Sequence, residues 1–229
     1  MQIVSMRGGP TTIFRATPRL PVRLAQPMFL PNAPSFAGRA PGLIGQPAAM
    51  ARPLAGDSPV TWLGEFRGTN DTIDLMLEYA RGNEGERNVK VRQYAEAIVR
   101  QLRPKDYLGE ILAIRHWCTS PRLRYANDAR HVEQVKSPFR VLTEIEQYGV
   151  SNLDCDDYAT LIAALGMSLG RNARFTMVGF GMPGDYTHVF AGLQEPRSSQ
   201  WIITDPVAGT REAQMARTAK TYKHISVDE

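Results

Sequence analysis

Apolar residues fall at helical spacing through the middle of the chain and at strand spacing toward its end. Residues 86–102 place Val91, Tyr94, Ala95, Ile98, Val99 and Leu102 on one face, and Pro104 breaks the pattern. A shorter helix is expected before it, from Asp71 as a cap to about Tyr79. Asp106–Trp117 carries Leu108, Ile111, Leu112 and Ile114 as the next helix and ends ahead of Pro121. Ser137-Pro138 is an N-cap and first-turn pair for a helix holding Phe139, Leu142 and Ile145, which Gly149 can close. Asp154–Leu169 follows, nearly all apolar past its first turn through Leu161, Ile162, Ala164, Leu165 and Leu169, with Gly170 as its stop. Beyond Gly170 the period shortens toward two, and Arg174–Gly179, Tyr186–Leu193 and Gln200–Thr204 read as strands. Turns at Met182-Pro183-Gly184 and Glu195-Pro196-Arg197-Ser198 separate them. Helices first and an antiparallel meander after them predict an α+β fold.

Residues 1–60 follow neither period. They hold ten of the sixteen prolines, and segments such as Pro31-Asn32-Ala33-Pro34 forbid long helices and interior strands. The chain is therefore expected to divide into an extended Pro/Gly/Arg-rich arm, 1–60, and a domain, 61–229. Such an arm cannot bury enough apolar surface to fold by itself. It is either a tail or a segment that protein neighbours put in order.

Composition narrows the partners. A hydrophobic share of 43% supports a real core, while no apolar run approaches the ~20 residues that span a membrane. The first seven residues lack the apolar core of a secretory signal, so a soluble protein made in the cytoplasm is expected. Six arginines, no lysine and one acidic residue, Asp57, give the arm its positive charge. That density is too low to make nucleic acid the expected partner, although an arginine arm touching packaged nucleic acid is a third reading. Cys118 and Cys155 do not make a disulfide framework, and His116, His131, His188 and His224 are too scattered for zinc-ligand spacing. Neither a metal nor a cofactor is expected. His116, His131 and His224 read as surface or satisfied core residues, and Trp201 as core.

The chemistry gathers around three residues. Cys155 opens the apolar helix, in Asn152-Leu153-Asp154-Cys155-Asp156-Asp157, where the helix dipole favours a thiolate. His188 lies on one predicted strand, and Asp205 ends the next, in Trp201-Ile202-Ile203-Thr204-Asp205-Pro206. A thiol, an imidazole to take its proton and a carboxylate to orient the ring make a nucleophile with its base. Asp156 and Asp157 suit the first helical turn but oppose a thiolate, so they are read as structural, pairing with arginines such as Arg122 or Arg124. Cys118 to Tyr125 form a basic loop, either solvated or at the mouth of a cleft.

Cys155-Asp156-Asp157-Tyr158-Ala159-Thr160-Leu161, then His188-Val189-Phe190-Ala191, then Trp201 to Pro206, resembles the transglutaminase-like superfamily over residues 85–210. The resemblance implies a papain-like core of N-terminal helices, a central helix carrying the cysteine and an antiparallel sheet. It also implies Cys155 as nucleophile, His188 as base and Asp205 as orienter. Members of that group draw an oxyanion donor from an upstream aromatic residue, for which Trp117 and Tyr125 are the candidates. Where members often carry glycine two residues before the cysteine, this chain has Leu153. The activity implied is acyl transfer on amide bonds of a protein or peptide substrate, as a peptidase, an amidase or a cross-linking enzyme. A compact domain with a Pro-rich arm also resembles minor virion proteins of tailed bacteriophages. That leaves a second reading open, a catalytically silent assembly protein that binds neighbouring subunits through the arm.

Overall fold

The computed structural model describes residues 60–64, 69–128, 132–182, 184, 186–207 and 218–228, with the backbone alone for 60–64, 132 and 133. Apart from Val60, the expected arm lies outside the described residues. The fold is α+β. Five helices run α1 (Thr69–Arg81), α2 (Val89–Val99), α3 (Tyr107–Cys118), α4 (Pro138–Tyr148) and α5 (Cys155–Ser168) among the described residues. None is long and apolar enough to cross a membrane.

Local chemistry sets the helix ends. Asn88 caps α2 by accepting from the Lys90 N–H, which starts the helix three residues later than its apolar period suggests. Asp106 is the cap of α3 rather than its first residue, accepting from the Gly109 N–H at 3.0 Å. Ser137 caps α4 through the Arg140 N–H, with Pro138 at the first helical position, as the sequence predicts. Gly149 ends α4 at φ 77°, a left-handed conformation that any side chain would strain.

Among the described residues the strands form three sheets. β5 (Ala173–Gly179), β6 (His188–Gln194), β7 (Trp201–Ile203) and β8 (Thr221–Ser226) make an antiparallel sheet in the order β7-β6-β5-β8. Two small ladders accompany it. β1 (Val60–Gly64) pairs antiparallel with β3 (Val132–Lys136), and β2 (Leu123–Tyr125) pairs parallel with β4 (Ser151–Leu153).

Helix α5 is the centre of the molecule. It meets each of the other four helices as well as β3, β4, β5 and β6. Leu161, Ile162 and Leu165 are fully buried on it, each worth roughly 1.5–3 kcal/mol of transfer free energy. Small residues set the spacing to the sheet: a Cβ on Gly166 would stand 2.4 Å from Cδ2 of the fully buried Leu193 on β6. The sheet is closed at its other end by the chain after β8. The Val227 N–H donates to Ala173 O at 2.9 Å, and Arg81 of α1 donates its Nε to Val227 O.

Candidate active site

Cys155 is the first residue of α5, half-buried and with a free thiol. Its N–H belongs to the first turn, whose donors a helix leaves without internal partners. What precedes it is held firmly. Leu153, in β4, is 1% exposed and sits opposite Tyr125 in the parallel ladder with β2. A leucine therefore stands where a glycine is common in the resembled family because its side chain belongs to the core. Lys136 Nζ donates to Asn152 O, tying the same segment to the end of β3.

His188 opens β6, two residues later than the apolar pattern suggests, and so lies at the end of an inner strand rather than in its middle. Its Nε2 donates to Asp205 Oδ2 at 2.7 Å. Asp205 is 1% exposed, and its other oxygen accepts from the Val207 N–H at 2.8 Å, so both oxygens are engaged. The preceding Thr204 fixes this arrangement: its N–H and its hydroxyl both reach Ala191 O on β6, at 3.0 and 2.8 Å. Cys155 lies near enough to the His188 ring to favour its charged form. With Nε2 given to Asp205, Nδ1 is the ring nitrogen left for a second partner. Burial works against a charge on His188, but Asp205 and Cys155 outweigh it and lift its pKa to about 9.

The two aromatic residues considered as oxyanion donors part company. Tyr125 is half-exposed, and burial together with the charges of Cys155, Asp154, Asp156 and Asp205 pushes its hydroxyl pKa up. It therefore stands within electrostatic reach of the thiol and keeps its proton. Trp117, near the end of α3, packs edge-on to Tyr94 with ring centroids 5.9 Å apart. Trp201 lies under the guanidinium of Arg174, 4.5 Å from it, and is half-buried rather than core. His224 bonds the Thr176 hydroxyl through Nδ1 at 2.9 Å.

Carboxylates crowd the thiol. Asp156 and Asp157 are each 3% exposed, and neither is held by Arg122 or Arg124, which are exposed. This corrects the expected pairing: the first turn of α5 faces β3, and Asp157 Oδ1 accepts from the Lys136 N–H at 2.6 Å. Burial first, then the charge of Asp154, raises the Asp157 pKa well above the usual carboxylate value, while Lys136 pulls it down. Asp156 is raised well above it too, by burial and then by the Asp154 side chain. Asp156 Oδ2 and Asp154 Oδ1 are both buried without a hydrogen-bond partner. One proton on Asp156 turns the pair into donor and acceptor. Asp154, Asp156 and Asp157 also offer oxygens within 4.8 Å of one another, which could hold a hard cation instead. The charge pattern alone did not reveal this group, because its geometry depends on the turn from β4 into α5.

No family model matches the chain, and no curated protein does. Among solved structures, a candidate cysteine protease from Cytophaga hutchinsonii matches with a TM-score of 0.41 and 19% identity. The match covers 67% of this chain, which spans 56% of that protein's length. A likeness at that level assigns no residue a role.

Proposed function

We propose that the protein is a cysteine-dependent acyl-transfer enzyme acting on amide bonds, with Cys155 as nucleophile, His188 as base and acid, and Asp205 as the group that orients the ring. The observation that supports this most directly is His188 itself, with Asp205 at 2.7 Å on Nε2 and Cys155 near enough to favour the charged ring. A ring that holds its proton to about pH 9 can pair with a thiolate as imidazolium at neutral pH.

The thiolate attacks the amide carbonyl carbon, forming a C–S bond while the carbonyl π electrons move to oxygen. The Cys155 N–H and the Tyr125 hydroxyl are the donors for that oxyanion. On collapse the C–N bond breaks, His188 gives its proton to the departing amine, and a thioester remains. Water or an amine then attacks the thioester and gives its proton to His188, and the thiolate leaves. Water yields an acid, as in a peptidase or amidase; an amine yields a new amide, as in a cross-linking enzyme.

The first test is the rate of Cys155 alkylation by iodoacetamide across pH in wild type, His188→Ala and Asp205→Ala. Fast alkylation near neutral pH, slowed at least about tenfold in His188→Ala, is the expected result. A slow thiol of equal rate in all three chains would falsify the reading. Acyl transfer itself is checked by intact mass after incubation with glutamine-containing peptides, where a hydroxylamine-labile adduct on Cys155 is expected.

A second reading draws on the carboxylates. Asp154, Asp156 and Asp157 oppose negative charge on the neighbouring sulfur, as would suit a domain that serves only as a scaffold, for example in a phage particle. It predicts an inert thiol in the same alkylation series.

A further inference from the structure

At the far end of β6 from His188 lies an open groove of about 480 Å³, built from the α2–α3 connection, the start of α3 and the β6–β7 turn. The six steps of β6 between them put it roughly 20 Å from the site. Three cations line it: Arg103, Lys105 and Arg197. All three are exposed, and none forms an ion pair among the described residues. Apolar surface lies between them. Tyr107 presents its ring to Arg197 at 5.4 Å, with Arg171 at 4.4 Å, and Leu108 is 45% exposed.

The two acidic residues of the groove are already engaged by the backbone. Asp106 accepts from the Gly109 N–H, and Glu195 from the N–H groups of Arg197 and Ser198 at 3.1 and 2.6 Å. Hydrogen bonds from Ser198 and from the Arg197 N–H hold Glu195 below the usual carboxylate range. This pattern discriminates among anions. The helix-start and turn amides that would cradle a compact phosphate are taken, and their carboxylates repel a multiply charged group. Separated single carboxylates, with apolar side chains between them, match separated arginines and lysine around an aromatic and aliphatic floor.

We infer that this groove docks an acidic, leucine-rich type of peptide segment, and serves as a second contact that recruits protein substrates to the distant thiol. The recruiting role rests on the proposed acyl transfer; the docking does not. The probe is a fluorescein-labelled peptide alternating glutamate with leucine, titrated by anisotropy against the full chain carrying Cys155→Ala, so that no chemistry intervenes. Binding is expected to weaken with salt and to fall at least about tenfold in Arg103→Glu/Arg197→Glu. A matched glutamine–leucine peptide should bind at least about tenfold more weakly. Should the double variant not fold, Lys105→Glu alone carries the same test. Equal binding of the glutamine peptide, unchanged binding by the folded variant, or tighter binding of a thymidine oligonucleotide overturns the inference. If the peptide binds as expected while Cys155 is inert to iodoacetamide, docking stands and the enzymatic reading falls.

Discussion

His188 and Asp156 both hold a proton to higher pH in the folded chain, so both contributions weaken as pH rises, and each offers a test at the scale of one side chain. The folded pKa of His188, about 9, lies above the ordinary value of about 6.5. Its stabilising contribution is therefore complete below about pH 6.5 and fades as pH rises through about 9. Asp205→Asn removes the charge that raises it, so the ring titration followed by NMR is expected to move to about 6.5 or below. Asp156 is a carboxyl raised rather than lowered, so its contribution is most favourable below the unfolded value of about 3.9 and declines as pH climbs toward the folded one. Asp156→Asn supplies a permanent donor to Asp154 and should stabilise the chain near pH 7.5 by about 1–2 kcal/mol in urea denaturation. An unchanged or lower midpoint would show that the two carboxyls share no proton. The pairing of His188 with Asp205 was readable in the sequence because one begins a strand and the other closely follows the next. The partner of Asp157 was not, because it is a backbone N–H twenty-one residues away, and a main-chain donor leaves no mark on residue type.

Elements were legible in proportion to their length. The longer helices declare themselves through apolar faces and through caps such as Ser137 and Gly149, whereas β2 and β4 have three residues each, too few to show a period. Strand β8 was missed for another reason. Thr221, Tyr222, Lys223, His224, Ile225 and Ser226 at a sheet edge present three exposed side chains in a row and three half-buried ones, so backbone pairing with β5 defines the strand more than any apolar alternation does. Two substitutions test how the elements are held. Ser137 is fully buried and serves both Arg140 N and Glu84 Oε2, so Ser137→Ala is expected to cost about 1–2 kcal/mol. Gly166→Ala drives a methyl into Leu193, which is buried on all sides, and should cost about 1–3 kcal/mol by denaturant midpoint. A neutral result there would mean that α5 lies farther from β6 than the 2.4 Å approach implies.

Across the molecule, the last described strand connects the helical and sheet halves, since Arg81 holds the main chain at Ser226 and Val227 while β8 pairs along β5. Truncation after residue 217 removes that strand, exposes the edge of β5 and uncovers the pocket filled by Val227, which is fully buried. The expected outcome is a chain that no longer melts cooperatively and that aggregates through the open strand edge, read by thermal unfolding and light scattering. The same division into halves runs through the proposed site. Cys155 begins a helix, whereas His188 begins a strand of the sheet and Asp205 follows β7, so no single element carries both partners of the proposed proton transfer. On the proposed mechanism, the thiol is a built-in strain gauge for the contact between helix and sheet. Slight separation of the two halves leaves every helix and strand intact and silences the sulfur, so on heating, alkylation should slow before circular dichroism changes.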